Sequence, residues 1–188
     1  MSAVDASDAS ASPASSGESG VSGVSDASAS PGNSGGQGGL ADLVELRYVA
    51  ADDPLMLQVA DLCYETLHRP FDVSRNDDWG NDDPDSSHLV ALVDARVVGY
   101  GRLLTEGDWG HIRQVAVYQE WRGMGIGSWI VHALLELARS KGLPHVFLNA
   151  RLTAVNLYEL RGFAVVSPEP FPMPRTYLPH VRMEIELR

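Results

Sequence analysis

The stretch from His111 to Ser128, HIRQVAVYQEWRGMGIGS, changes character twice within a few residues. Its first part, Ile112 to Tyr118, carries the apolar and β-branched residues that favour a short strand. A polar turn follows, and glycines stand at positions 123, 125 and 127 before an apolar segment with helical periodicity begins. The pattern predicts a strand that runs into a glycine loop and continues as a helix.

The glycine loop has the properties of a phosphate-binding loop. A residue without a side chain lets backbone N–H groups approach an anion closely. The first N–H groups of the following helix have no partners within the helix, and the helix dipole favours negative charge there. Arg122, at the entrance of the loop, adds a fixed cation with several donors, which suits a pyrophosphate. A simple change of chain direction is the alternative interpretation of such a turn.

The spacing does not fit two familiar nucleotide-binding loops. A P-loop ends in Gly-Lys-Ser or Gly-Lys-Thr, whereas Gly127 is followed by Ser128 and Trp129. A dinucleotide fingerprint requires Gly-x-Gly-x-x-Gly and an acidic residue about 20 residues further on, at the end of a second strand. This chain has Gly-x-Gly-x-Gly, and its next predicted strand has Asn149 at its end.

A different pattern does fit, namely Arg-x-x-Gly-x-Gly, formed by Arg122, Gly125 and Gly127. It resembles the coenzyme A pyrophosphate loop of the GCN5-related N-acetyltransferase (GNAT) superfamily. The second signature of that superfamily is also present, as NLYELRGF from Asn156 to Phe163. The resemblance extends from Leu43 to Leu187, and two signatures in the right order are far more specific than one.

The order of the predicted elements agrees with this resemblance. Helices are predicted from Pro54 to Leu67, from the glycine loop to Gly142, and from Thr153, as N-cap, to Arg161. Strands are predicted over residues 43–49, 89–93, 96–104, 110–118, 146–150, 163–166 and 181–187. The order β-α-β-β-β-α-β-α-β-β is that of the family. The resemblance therefore implies the α/β (α+β) class, in the GNAT acyltransferase fold, with a central mixed, mostly antiparallel sheet flanked by helices.

Composition separates a tail from a domain. Residues 1–40 are rich in Ser, Ala, Gly and Asp and contain no aromatic residue, Lys or Arg, so we expect a disordered tail followed by a domain over residues 41–188. The formal net charge is −11, and −7 remains once the four acids of the tail are set aside, which disfavours nucleic-acid binding. No signal peptide or membrane span is predicted, and a cytoplasmic location is expected. The single cysteine, Cys63, excludes an internal disulfide and is interpreted as a small buried hydrophobe.

The resemblance assigns a site for acetyl-CoA, the acyl donor, to three segments. The main chain of Val115, Ala116 and Val117 is implied to contact the pantetheine arm and the acyl oxygen. Asn149 and Asn156 match positions that hydrogen-bond the cofactor, although Asn149 could equally end a strand. The pyrophosphate loop consists of Arg122, Gly123, Met124, Gly125, Ile126, Gly127 and Ser128.

The resemblance also implies two catalytic side chains. Tyr158 matches the position whose hydroxyl protonates the departing thiolate, and a phenol with a pKa of about 10 is neutral at working pH. Packing in the core is the alternative for this tyrosine. His111 stands where some members carry a glutamate base, and histidine can do the same work because its ordinary pKa of about 6.5 lies near physiological pH. Strand alternation places His111 on one face with Arg113 and Val115; a solvent-facing histidine is the alternative.

Other candidates for the general base remain open. Glu106, Asp108 and His180 carry suitable groups, and a chain of water molecules could replace them all. His180 belongs to a Pro-His pair that resembles the C-terminal strand of a poorly characterised branch of the superfamily. We therefore treat His180 as a residue of the acceptor site.

The resulting hypothesis is an N-acetyltransferase that moves an acetyl group from acetyl-CoA directly to an amine in a ternary complex. Such a reaction needs no metal and no covalent enzyme intermediate, so no metal site is expected. A coenzyme A binding or sensing module of the same fold and an O-acyltransferase remain alternatives.

The acceptor would be a small-molecule amine or a protein amine, with no nucleic-acid or membrane partner. An acidic cluster around Trp79 would attract a cationic amine, but a solvated surface loop is equally compatible with it. An unpaired last strand would offer an edge for a homodimer. The members of the acidic cluster are Asp77, Asp78, Asp82, Asp83 and Asp85.

Overall fold

The computed structural model describes residues 39, 43–75 and 86–187. These residues contain three α-helices, α1 (Leu55–Cys63), α2 (Ile126–Ser140) and α3 (Val155–Glu159). The strands are β1 (Glu45–Val49), β2 (Ser86–Val93), β3 (Arg96–Glu106), β4 (Trp109–Val117), β5 (His145–Arg151), β6 (Ala164–Val165), β7 (Phe171–Pro172) and β8 (Pro179–Glu186). The predicted order of helices and strands is confirmed, and β7 is an addition. The predicted tail, apart from Gly39, and the acidic cluster around Trp79 lie outside the described residues.

The described strands form one sheet in the order β1-β2-β3-β4-β5-β8-β6, with β7 also paired to β8. Every pair is antiparallel except β4 with β5. The prediction of a mixed, mostly antiparallel sheet is therefore confirmed. The prediction that the last strand is unpaired is wrong, because β8 lies between β5 on one side and β6 and β7 on the other. The edge on which a homodimer was expected is thus already occupied.

Helices cover both faces of the sheet and create two apolar clusters. On one face α2 contributes Ile130 and Leu134, both fully buried. On the other face Leu62 of α1 packs with Tyr100 of β3. Burying one such side chain stabilises the fold by about 1.5–3 kcal/mol. Gly101 allows α2 to lie close to β3, since a Cβ there would stand 2.7 Å from Ile130 Cγ2.

Helix ends differ from the prediction in two places. The first helix is regular only to Cys63 and continues as a π-helical turn, Tyr64–His68, in which the Thr66 hydroxyl donates to Leu62 O at 2.7 Å. A short 3-10 turn then covers Arg69–Phe71.

The predicted cap of the third helix is wrong. A 3-10 turn occupies Leu152–Ala154, so α3 begins at Val155 with Ala154 as its N-cap and without a side-chain cap. Thr153 lies inside that turn and is not the N-cap residue.

Candidate active site

A cleft opens where β4 and β5 separate. Their parallel pairing joins Trp109 to His145, Gly110 to Val146 and His111 to Phe147, and it extends no further. Beyond that point both strands line a cleft of about 910 Å³, a volume typical of ligand sites. The residues of the two strands that line it are His111, Ile112, Arg113, Gln114, Val115, Ala116, Val117, Leu148, Asn149 and Arg151.

A β-bulge reorients β4 along the wall of the cleft. The register shifts between Tyr100 and Arg102 of β3, and Gln114 opposite has a φ of +54°. Arg113 pairs with Arg102, whereas Val115 packs against the cluster of α2 on the other face. The prediction that Val115 shares a face with His111 and Arg113 is therefore wrong, because the extra residue shifts the alternation.

The glycine loop places backbone N–H groups at one end of this cleft. Gly123 and Gly125 have φ values of +76° and +87°, in the left-handed region that favours glycine. Gly125 is the N-cap of α2 and the helix has no side-chain cap, so its first N–H groups remain for a ligand. Loop residues 122, 123 and 125–128 line the cleft. An uncapped helix start against an open cleft fits the pyrophosphate of coenzyme A.

Two arginines support the loop. Arg122 Nε donates to Val117 O at 3.0 Å, which orients the guanidinium plane toward the cleft that Arg122 lines. Arg161 Nε donates to Ser128 Oγ at 2.7 Å and so holds the first turn of α2 against the end of α3. Sequence reasoning assigned no role to Arg161, although it lies within the second signature.

Other predicted members of the cofactor site are placed differently. Asn149 lines the cleft, whereas Asn156 is exposed on α3 and does not border it. Met124 is 43% exposed and its side chain is likewise outside the cleft. The side chain of Ile126 is buried in the core, so only its backbone can contact a ligand.

Tyr158 both packs in the core and borders the cleft. It is 8% exposed, packs edge-on against Phe163 with 6.1 Å between ring centroids, and also lines the cleft. Burial raises the pKa of Tyr158 to about 12, against an opposing influence of the Arg151 charge. The phenol is therefore protonated at neutral pH and can act as an acid.

His111 is held in one orientation by its neighbours. Its Nδ1 lies 3.0 Å from Glu106 Oε1, and its ring stacks on Phe147 at 4.1 Å between centroids. Because a carboxylate only accepts, Nδ1 carries the hydrogen and Nε2 carries the lone pair. Burial lowers the pKa of His111. The hydrogen bond that His111 donates to Glu106 raises this pKa, and the positive charge of Arg113 lowers it. A neutral imidazole with a lone pair on Nε2 can accept a proton.

Of the other base candidates, only His180 lines the cleft. Its Nδ1 donates to Leu178 O at 2.8 Å, which leaves the lone pair on Nε2. Burial lowers the pKa of His180, the bond to Leu178 opposes this, and the Arg151 charge lowers it further. Glu106 is the hydrogen-bond partner of His111, and Asp108 is exposed in the turn between β3 and β4.

Sequence reasoning missed several residues of the cleft wall. Thr66, Leu67 and His68 come from the π-helical turn, and residues 173–176 from the connection between β7 and β8. Neither segment carries a recognisable signal in the sequence, since only the tertiary structure brings them to the cleft. Arg151 could have been found, because it follows Asn149 by two residues on a strand and so shares its face.

Cys63 takes no part in this site. It is 2% exposed, and burial raises its pKa to about 12, with the Arg102 charge acting in the opposite direction. Its interpretation as a small buried hydrophobe is confirmed. Over residues 39, 43–75 and 86–187, no group of His, Cys, Asp or Glu could hold a metal ion. In the same part of the chain no helix is long and apolar enough to cross a membrane.

Comparison with known families decides the class of this site. The model of the acetyltransferase (GNAT) family matches residues 54–163, more than half of the chain, including the glycine loop and the second signature. The chain belongs to the GNAT family. It is thus a GNAT-type acetyltransferase by family, as the two signatures indicated.

One curated relative and two solved structures extend the comparison. An uncharacterized N-acetyltransferase of Bacillus subtilis, YjcF, is 30% identical over 99 residues, which cover 53% of this chain and 69% of the relative. ElaA of Escherichia coli has a similar structure, with a TM-score of 0.66, 20% identity, and coverage of 76% of this chain and 99% of ElaA. The PaiA N-acetyltransferase of Thermoplasma acidophilum, solved in complex with coenzyme A, has a TM-score of 0.61, 13% identity, and coverage of 77% and 99%. The last two show the GNAT fold.

Proposed function

We propose that this GNAT member transfers an acetyl group from acetyl-CoA directly to an amine within a ternary complex. The observation that carries the proposal is the separation of β4 and β5. It opens one cleft between the uncapped N-terminus of α2 and two acid–base side chains, the buried Tyr158 and the half-buried His111. Donor and acceptor held in one cleft would react as neighbours, which can contribute about 7–11 kcal/mol to lowering the barrier. We also expect a cytoplasmic location, on the sequence grounds given above.

Acetyl-CoA would be held by backbone rather than by side chains over most of its length. The loop from Arg122 to Ser128 would bind the pyrophosphate through N–H groups and the Arg122 guanidinium. The main chain of residues 115–117, next to the bulge, would contact the arm, and Asn149 would contribute an amide from β5. When bound, acetyl-CoA supplies an acyl group activated as a thioester. The PaiA structure, which has a similar fold, contains coenzyme A, and this supports coenzyme A as the group bound.

Two side chains would move the protons. His111 Nε2 would accept one proton from the substrate ammonium group, and the resulting neutral amine would attack the thioester carbonyl to form the C–N bond. Tyr158 would give its proton to the sulfur as the C–S bond breaks, so that coenzyme A leaves as a thiol. The second proton, lost by the nitrogen as it becomes an amide, would return Tyr158 to its protonated form. Each transfer contributes typically 10²–10⁴-fold to the rate. His180 offers the same tautomer on the same cleft and is the second candidate for the base.

Calorimetric titration of the full chain with acetyl-CoA, followed by thiol release against a panel of amines, tests the proposal. Binding together with thiol release on at least one class of amine supports an N-acetyltransferase. Binding without release on any amine would instead indicate a coenzyme A sensing module. An absence of binding would refute the assignment of the cleft.

Tyr158→Phe is the variant for the chemical step, and Tyr177→Phe is its matched control. Tyr177 is 78% exposed and does not line the cleft, so its hydroxyl can be removed without consequence for the reaction. If Tyr158→Phe loses turnover while Tyr177→Phe keeps it, Tyr158 is assigned as the acid that protonates the leaving sulfur.

A further inference from the structure

The cleft is strongly cationic, although the whole chain has a formal net charge of −11. Among the described residues that line it, none is an aspartate or a glutamate. Its basic lining residues are Arg113, Arg122, Arg151, Arg175, His68, His111 and His180. A cleft of one sign of charge within an acidic molecule attracts ligands of the opposite sign.

One of these cations already has a ligand in the proposed function. Arg122 stands at the entrance of the glycine loop and would bind the pyrophosphate of acetyl-CoA. Arg113 of β4 and Arg151 of β5 lie beyond the loop, on the walls of the cleft. These two arginines are candidates for binding a second anion.

Arg151 is fixed at the centre of this second region. Its Nη2 donates to Leu67 O at 3.1 Å, and its guanidinium lies 4.8 Å above the ring centroid of Phe71. Its charge acts on the pKa values of both Tyr158 and His180, so it lies near both candidate proton-transfer groups. Arg151 forms no ion pair with any described carboxylate.

Arg113 is the corresponding cation on the opposite wall. It pairs across the strands with Arg102, which is fully buried, and two like charges directly opposite each other are destabilising. Its charge lowers the pKa of His111, which stands two residues earlier on the same face, roughly 7 Å along the strand. Arg113 also lacks an ion pair with the described carboxylates. A half-buried cation that has no counter-charge among residues 43–75 and 86–187 is costly to keep until an anion binds.

We propose that the acceptor is a small amine that carries an oxyanion group, a carboxylate or a phosphate, bound between Arg113 and Arg151. This inference rests on the proposed function and names the substrate class of the same site. The planar guanidinium groups bind either oxyanion through paired hydrogen bonds. The amine would then lie toward His111, since Arg113 is only two residues away. The described cleft thus favours an acceptor with an added negative group, whereas the acidic cluster around Trp79 suggested a purely cationic amine.

Matched pairs of amines test the inference with the full chain at saturating acetyl-CoA. Ethanolamine phosphate is compared with ethanolamine, and 4-aminobutyrate with 4-amino-1-butanol, by thiol release. We expect kcat/KM to be on the order of 10- to 100-fold higher for the anionic member of at least one pair, as charge-assisted hydrogen bonds predict. The pair with the larger ratio of kcat/KM values shows whether the site prefers a phosphate or a carboxylate. Equal kcat/KM within both pairs would overturn the inference.

Arg113→Gln and Arg151→Gln locate the anion site. Each should reduce the preference for the anionic amine about tenfold or more, mainly through a higher KM, while acetyl-CoA affinity and the melting temperature confirm an intact fold. Arg151→Lys should restore part of the preference. Arg139→Gln is the control, since Arg139 pairs with Glu136 on the surface of α2 and does not line the cleft. Weaker acetyl-CoA binding with an unchanged preference would assign these arginines to the cofactor and overturn the inference.

Direct binding separates this inference from the proposed function. Ethanolamine phosphate and 4-aminobutyrate are titrated into the coenzyme A complex, with Arg151→Gln as comparison. If binding depends on Arg151 while no amine is acetylated, the anion site stands and the transferase proposal fails. If amines are acetylated without regard to their charge, the transferase stands and the anion site fails.

Discussion

Alanine at position 125 should destabilise the protein by about 1–2 kcal/mol, because Gly125 has a φ of +87° that other L-residues adopt only under strain. Its new Cβ would lie 3.7 Å from Trp129, an ordinary contact, so the cost is conformational rather than steric. For a domain of this size the melting temperature should fall by roughly 2–8 °C. The strained loop should also bind acetyl-CoA more weakly, since its N–H groups would be displaced.

Gly142→Ala supplies the matched control at the other end of α2. Gly142 has a φ of +70° and its added Cβ would meet no atom within 4 Å, so the backbone strain is similar. Gly142 does not line the cleft. The melting temperature should fall as in Gly125→Ala, whereas the affinity for acetyl-CoA should stay unchanged.

Gly127→Ala should separate stability from binding in the opposite direction. Gly127 lies in the first turn of α2, where alanine is favoured over glycine by about 0.8–1 kcal/mol. Its new methyl group would lie 3.7 Å from Val117 and Leu157, both of which line the cleft. That distance is an ordinary contact, so the fold accommodates the methyl group, whereas a pyrophosphate bound against the start of α2 would have to move away from it. A loss of about 1–3 kcal/mol of binding free energy should lower acetyl-CoA affinity roughly 5- to 100-fold, while the melting temperature holds or rises.

Thermal unfolding and calorimetric titration of the three variants complete this experiment. The assignment of the pyrophosphate to the start of α2 predicts weaker binding in Gly125→Ala and Gly127→Ala only. If Gly127→Ala binds acetyl-CoA like the unmodified protein, or if Gly142→Ala binds as poorly as Gly125→Ala, the reasoning is refuted.

Three further predictions concern proton transfer and pH. Tyr158→Phe should lower kcat about 10²–10⁴-fold with little change in acetyl-CoA affinity; full activity would place the acid elsewhere. Glu106→Gln replaces the carboxylate whose charged hydrogen bond raises the pKa of His111 with a neutral amide, so the acid limb of kcat/KM should move to lower pH, and an unmoved limb would exclude His111 as the base. Burial and the Arg102 charge lower the pKa of His88 in the folded protein. As the pH falls below 6.5, the unfolded state therefore takes up a proton before the folded state does, and the free energy of unfolding decreases. Denaturant titrations should show a smaller loss in His88→Gln; an equal loss would contradict this.

Local signals account for what could be predicted. The left-handed glycines of the loop, the end of α2 at Gly142 and the order of the elements depend on neighbouring residues, so they can be recognised from the chain alone. Tyr158 could be chosen as the candidate acid for the same reason, since it lies within a contiguous signature. The cap predicted at Thr153 was wrong because a 3-10 turn competes with the first turn of the helix, and local propensities do not separate the two.

The sequence by itself determined the glycine loop, the helix that follows it and the family to which they belong, because backbone dihedrals and periodicity are properties of adjacent residues. Only the tertiary structure decided that a bulge at Gln114 turns Val115 away from His111, and that β8 lies between β5 and β6. It alone brought Glu106 to His111 and placed Arg113 and Arg151 on opposite walls of one cleft. These features depend on strand register and on pairing between segments distant in sequence. A register shift of one residue would turn every side chain of a strand to the opposite face of the sheet.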